Sequence, residues 1–319
     1  MSTSAPSATA TAWASEIDMW QVTRLMPNQT AGPGPNHRGV ADMILVTGAT
    51  GNAGAEVARA VAAEGHPVRA LTRDPGSARL PAGVTAVQGD LSAPDTLDGA
   101  FDDVSAVFLL AGYPDAPGLL ARMAEAGVRR VVLLSSGAVE GGNLDNYVVR
   151  FNVVSEAAVR DSTLSWTVLR PSGFMSNALR WRSQLQDGDT VREPFADLPV
   201  AVIDPFDIGV VAARALTEQE HAGHSYRLTG PAALLAAERL AILGQILGRD
   251  LRLVPQSDQE ARAEMSAAMP APQVEAFFEF SRGGTYLDDQ VTGTTEALLG
   301  RPPRTFRDWA HAHAGEFTG

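Results

Sequence analysis

The chain is 319 residues long and 45% hydrophobic, and it contains no cysteine. It can therefore build a sizeable core but no disulfide, thiol nucleophile or thiolate metal site. A formal net charge of −12 leaves no basic footprint for nucleic acid or an anionic membrane surface. All 25 basic residues are arginine, and the absence of lysine narrows the available proton-transfer chemistry.

No stretch approaches the roughly 18 consecutive apolar residues of a membrane span. Residues 1–42 are rich in Ala, Ser, Thr, Pro and Gly and lack the basic start and apolar centre of a secretory signal. They are expected to form a disordered extension; the alternative is that the protein starts at Met43. A cytoplasmic location is expected.

The chain then reads Met43-Ile-Leu-Val-Thr-Gly-Ala-Thr-Gly-Asn-Ala-Gly54. This is a buried strand, a tight turn and the start of a helix over 55–64, whose free N–H groups form a seat for a dinucleotide pyrophosphate. Gly48 permits the turn, Gly51 admits a phosphate close to the backbone, and Gly54 allows helix and strand to pack closely. Gly48, Thr50, Gly51, Asn52, Ala53 and Gly54 are the candidate phosphate-side residues.

A second strand over 68–73 ends in Thr72 and Arg73 instead of the acid that would bond a ribose 2′-hydroxyl. Arg73 can pair bidentately with a 2′-phosphate, so NADP(H) is favoured, with NAD(H) also accommodated. The other reading is a surface arginine in a turn. A third strand over 84–88 leads to Gly89-Asp90-Leu91. Asp90 and Leu91 are placed at the adenine side, although Asp90 could also cap a helix over 95–101. An apolar strand over 106–111 ends in Ala111 and Gly112, small residues suited to a backbone beside a cofactor. A helix over 117–126 and a strand over 131–134 follow, ending at Ser135 and Ser136. The sustained alternation predicts a doubly wound parallel α/β sheet with helices on both faces.

After a loop over 137–146, a helix over 147–160 and a strand over 165–169 reach Arg170-Pro171, which marks the edge of the nucleotide-binding core. The expected division is a core over 43–171 and a mixed substrate lobe over 172–319 interleaved with it. In that second part a strand is predicted over 200–203, a helix over 207–216, a strand over 225–228 and a helix over 235–247. Residues 258–281 read as helical with a break at Pro270 and Pro272, and a final helix begins at a Thr305/Asp308 capping box. No metal site is expected. His221 and His224 read as surface-loop residues, His311 and His313 as solvated, and Asp204 and Asp207 as turn and cap residues.

Thr47-Gly-Ala-Thr-Gly-Asn-Ala-Gly54, Ala70-Leu-Thr-Arg73, Gly89-Asp-Leu91, Leu133-Leu-Ser-Ser136, Trp166-Thr-Val-Leu-Arg-Pro171 and the tail Gly300-Arg-Pro-Pro-Arg-Thr-Phe-Arg-Asp-Trp309 together resemble the NmrA-like atypical short-chain dehydrogenases. The resemblance implies a Rossmann core with a smaller C-terminal substrate lobe, binding of NAD(P)(H), and either reduction of small molecules such as quinones or sensing of cofactor redox state without catalysis. Ordinary short-chain dehydrogenases pair a tyrosine with a lysine one helical turn later. Here Tyr147 is followed at that offset by Phe151, so its candidate catalytic role competes with simple packing of an aromatic at a helix start. The family's titratable residue one turn before a glutamate falls on Asn152, ahead of Glu156, and an amide cannot titrate.

Ser136 is the remaining candidate catalytic hydroxyl, its alternative being a strand-end hydroxyl bonded to backbone. The segment after Pro171 resembles one that passes the nicotinamide and the substrate. Ser135 and Pro171 are thus assigned to the cofactor side, and Asn152, Phe174, Asn177 and Trp181 to the substrate side; Phe174 and Trp181 alternatively fill the interlobe core. The reading is an NAD(P)H-dependent reductase of a conjugated or aromatic carbonyl or quinone. The alternatives are a non-catalytic NADP(H) sensor with a protein partner and a tailoring enzyme of aromatic natural-product synthesis. The expected partners are a small-molecule substrate and a protein partner or second copy, without nucleic acid or membrane.

Overall fold

The computed structural model describes residues 42–284 and 288–318; the extension expected over 1–42 lies, but for Asp42, outside the described residues. Seven parallel strands form the main sheet: β1 (Met43–Thr47), β2 (Val68–Thr72), β3 (Val84–Gln88), β4 (Val104–Leu110), β5 (Arg130–Leu134), β6 (Ser165–Pro171) and β8 (His224–Leu228). Their order is β3-β2-β1-β4-β5-β6-β8. The central strands are near-continuous apolar runs because helices cover both faces, whereas edge strand β3 is half exposed.

On one face, α1 (Asn52–Ala63) and α5 (Pro205–Thr217) pack Val57, Ala58, Val61, Ile208, Val211 and Ala212 onto Ile44, Val46 and Phe108. The two helices approach so closely that a Cβ on Gly209 would stand 2.7 Å from the backbone of Glu56. On the other face, α2 (Ala116–Glu125) and α3 (Tyr147–Asp161) bring Leu119, Leu120, Met123 and Val159 onto Leu45, Val107, Leu109 and Val131. The architecture is therefore the expected three-layer α/β sheet. Strand order reverses between β1 and β4, and that switch point opens a crevice at the carboxyl ends of the strands.

A further cluster, built from Met175, Trp181, Leu185, Val191, Leu240, Leu243, Phe306 and Trp309, forms in the second half of the chain. It gathers α4 (Arg182–Asp187), α6 (Ala236–Leu247), α10 (Phe306–Ala312) and β7 (Thr190–Glu193), which pairs in parallel with β9 (Arg252–Pro255). The helical stretch expected over 258–281 divides at Pro270 into α7 (Asp258–Ala268) and α8 (Ala271–Arg282). Among the described residues no helix is long and apolar enough to cross a membrane.

Two expected elements are corrected. In place of a helix over 95–101 there is one 3₁₀ turn, Pro94–Thr96, because Gly99 takes a left-handed φ of +74°. Residues 200–203 are not a ladder strand. The N–H groups of Val200, Ala201 and Ile203 donate to Leu234, Asp288 and Gly173 respectively, so these three residues meet different partners.

Candidate functional site

The glycine turn sits at the carboxyl end of β1. Gly48 has a φ of +63°, a conformation glycine adopts without the steric cost other residues incur. Gly54 lies so near the turn that a Cβ there would stand 2.2 Å from the Gly48 carbonyl oxygen. The N-terminus of α1, at Gly51, has no side-chain cap. Its first N–H groups therefore stay open, which is what an anion seat requires.

Two cavities adjoin at this crevice. The first, about 710 Å³, is lined by Gly48, Thr50, Arg73, Asp90 and Leu91 of the expected set, together with Arg79 and Tyr113. Neither Arg73 nor Arg79 makes an ion pair among the described residues. Asp74, the acid that follows Arg73, is tied into its own turn. Its carboxylate accepts from Ser77 Oγ at 2.7 Å and from the Gly76 N–H at 3.1 Å, and these bonds hold its pKa below the usual carboxylate range. Asp90 accepts from the Ser92 N–H at 2.8 Å and caps that turn, not a following helix. Burial pushes up the pKa of the Tyr113 hydroxyl. Sequence reading missed Arg79 and Tyr113; a second arginine six residues past Arg73 on the same loop was the available signal for the former.

The second cavity, about 650 Å³, shares Leu110 with the first. Ala111, Ser135, Ser136 and Pro171 line it from strand ends, and Phe151 and Asn152 line it from α3. Phe174, Phe195, Phe277 and Phe280 complete an aromatic surround, with Asn177, Arg180, Glu193 and Arg239 also in the walls. Ser136 accepts from the Ala138 N–H at 3.2 Å, so it is a strand-end cap that still owns a donatable proton. Asn152 is buried and donates to the Val148 carbonyl at 2.9 Å.

Not every expected residue reaches a cavity. Gly51, Asn52, Ala53 and Gly54 form the helix start beside the first cavity and are not among its lining residues. Gly112 likewise lies outside both, its N–H donating to Ser155 Oγ at 3.0 Å. Tyr147 is half exposed and edge-on to Phe151, ring centroids 5.5 Å apart; the packing alternative describes its position. Trp181 is corrected from substrate wall to core: it is fully buried, with Nε1 donating to Glu193 at 2.9 Å.

Behind the wall lies a polar knot. Glu156, 1% exposed, accepts from Ser135 Oγ at 2.6 Å, from Arg160 Nη2 at 2.7 Å, and bidentately from Arg170 at 2.9 and 2.6 Å. Burial pushes its carboxyl pKa upward, but the bonds from Arg170, Ser135 and Arg160 outweigh burial and leave it lowered. Glu156 thus remains ionised and positions the end of β5.

Of the remaining expectations, Asp204 caps α5 through the Phe206 N–H at 2.9 Å. Asp207 is fully buried and holds the tail, accepting from Arg301 Nη2 and the Arg304 N–H, each at 2.7 Å. His224 is exposed, but His221 is corrected to a buried residue. Its Nε2 lies 3.3 Å from Glu218 and its Nδ1 3.1 Å from the Tyr226 hydroxyl. Glu218, Glu220 and His221 offer ligand atoms within 4.8 Å of one another, a grouping the sequence reading overlooked. His313 is less solvated than expected, stacking on Trp309 and pairing with Glu316.

The chain is similar to known NAD(P)H-binding proteins. Residues 48–218 match a family model described as NAD(P)H-binding. A (4-alkanoyl-5-oxo-2,5-dihydrofuran-3-yl)methyl phosphate reductase of Streptomyces griseus is 42% identical over 280 residues, covering 86% of this chain and 99% of the relative. An NAD(P)H azoreductase of Xenophilus azovorans is 34% identical over 285 residues, covering 86% and 99%. Among solved structures, an NADPH-dependent quinone oxidoreductase from Escherichia coli superposes with a TM-score of 0.69 at 23% identity, covering 85% of this chain and 99% of that one. That last likeness shows the fold.

Proposed function

The chain belongs to the NAD(P)H-binding family, within the NmrA-like atypical short-chain reductases, and from that premise we propose that it uses NADPH to reduce a small conjugated carbonyl compound. The observation that carries this reading is Leu110, common to both cavity walls. A dinucleotide whose phosphates rest on the Gly48–Gly54 turn and whose 2′-phosphate meets Arg73 and Arg79 would extend past Leu110. Its nicotinamide would then face the aromatic-lined second cavity. The uncommitted arginines and the engaged Asp74 favour NADP(H) over NAD(H).

The missing tyrosine–lysine pair restricts which acceptor suits the site. Phe151 cannot hydrogen-bond and Asn152 cannot titrate. Hydride transfer to the β-carbon of an alkene conjugated to two carbonyls consumes the alkene π bond and yields NADP⁺ and an enolate spread over both oxygens. Such an enolate needs hydrogen-bond donors more than a strong acid, and its α-carbon takes a proton from water. The Ser136 hydroxyl and the Asn177 amide are donors in this wall. The substrate named for the Streptomyces relative, a ring alkene beside a lactone carbonyl and an alkanoyl ketone and bearing a phosphate ester, has this chemistry, which supports the reading.

The test is NADPH consumption by the purified chain with alkanoyl butenolides, quinones and azo dyes. The expected result is turnover fastest with the doubly activated alkene. Saturable NADPH binding without oxidation by any acceptor would replace this reading with that of a cofactor sensor.

A further inference from the structure

Arg239, on the first turn of α6, is 6% exposed and contributes to the wall of the second cavity. Its Nε is buried and has no hydrogen-bond partner, and its guanidinium makes no ion pair among the described residues. Among the described residues the carboxylate whose field acts on it, Glu193, is committed elsewhere, accepting from Trp181 Nε1 at 2.9 Å and from both Nε and Nη2 of Arg180, whose own charge opposes that of Arg239. Its guanidinium carbon also lies over the Trp181 ring, 5.8 Å from the ring centroid. Burial lowers the Arg239 pKa to about 10, so the group is still cationic at neutral pH.

A buried, charged and unpartnered guanidinium is costly, because desolvation of the ion is not offset by hydrogen bonds or a counter-charge. Core packing would be served as well by leucine or methionine at this position. The cost is recovered when a ligand brings the missing anion, and a planar fork suits the two oxygens of a phosphate or carboxylate. The cavity wall runs from the strand ends at Leu110 and Ser135 to Arg239 and Arg180. One molecule can therefore present a reducible carbon to the strand ends and an anionic group to Arg239.

We infer that Arg239 is the seat for an anionic group on the substrate, a phosphate monoester or a carboxylate, and that this charge selects which conjugated carbonyl compounds enter. The inference rests on the second cavity being the substrate site proposed above. Asp288 and Asp289 also line that cavity. Asp288 is held by Arg227 and the Gly173 N–H, each within 2.9 Å.

The test is calorimetric titration of the full chain, saturated with NADP⁺ so that cofactor phosphate seats are filled, with benzyl phosphate, phenylacetate and benzyl alcohol. At least one anion is expected to bind about 10- to 100-fold tighter than the alcohol, and which anion binds identifies the group. Arg239→Met is expected to remove that advantage and leave the weak affinity for the alcohol unchanged. Equal affinity of wild type for all three probes, or an anion affinity unchanged in Arg239→Met, overturns the inference. Should Arg239→Met fail to retain NADP⁺, Arg239→Gln is read in the same way. No turnover is measured, so the outcome is separate from whether the chain reduces a conjugated carbonyl.

Discussion

Arg170, at the end of β6, grips Glu156 of α3 through two hydrogen bonds of 2.9 and 2.6 Å, with the carboxylate almost wholly excluded from water. This bond joins the helix that lines the substrate side to the strand that carries Pro171. Glu156→Gln keeps the shape but leaves two guanidinium groups without their counter-charge, which is expected to cost about 2–4 kcal/mol. Urea unfolding at neutral pH measures this; a loss under about 0.5 kcal/mol, typical of a surface change, would contradict the account.

The pH dependence follows from the same group. The folded-state pKa of Glu156 is depressed, so its stabilising contribution is present above the unfolded carboxylate pKa of about 4.3. It is lost as pH falls through the lower folded-state value. The stability difference between wild type and Glu156→Gln should therefore be full at neutral pH and shrink once the pH is below about 4.3. A difference that grows in acid would refute the assignment.

Gly54→Ala places a methyl group 2.2 Å from the Gly48 carbonyl oxygen, whereas a Cβ at Gly51 stands 3.3 Å from it. The first clash involves backbone and cannot be relieved by a side-chain rotation. Gly54→Ala should weaken NADPH binding by more than about tenfold, a loss of about 1.4 kcal/mol, while Gly51→Ala does so less. Titration of nicotinamide fluorescence ranks the two, and the reverse order would remove the turn from the cofactor seat.

Arg73→Ala and Arg79→Ala should each weaken NADPH by about 10- to 100-fold, the range of one charge-assisted contact, and leave NADH nearly unaffected. Equal losses for the two cofactors would mean that these residues do not meet a 2′-phosphate.

Tyr147→Phe should change kcat by less than about twofold, because its hydroxyl lies outside the cavity walls, whereas Ser136→Ala should lower kcat with little change in KM, as expected of a donor used in the transition state. A large kcat loss in Tyr147→Phe would return the catalytic role to that residue.

What the sequence determined by itself was local and periodic. The glycine triplet specified its turn because φ at Gly48 and the approach of Gly54 to Gly48 involve residues close in the chain. Alternating strand-like and helical stretches located all seven main-sheet strands within a few residues, most clearly in the centre, where a sheet covered on both faces requires near-continuous apolar runs. Short pieces with mixed faces were different: β7 and β9 are four residues each and exist through their mutual pairing.

Only the tertiary structure decided which way chemically suggestive side chains face. Trp181 and Phe174 are seven residues apart and equally aromatic, yet one is sealed against Glu193 and the other opens on the cavity. Glu156 was visible as a family position, but its partners Ser135 and Arg170 lie at the carboxyl ends of β5 and β6 and meet it only after the sheet is assembled. Arg239 looked like any arginine on an amphipathic helix. Burial without a counter-charge, which turns it into a candidate anion seat, is a property of the packed surroundings and has no signature in the neighbouring residues.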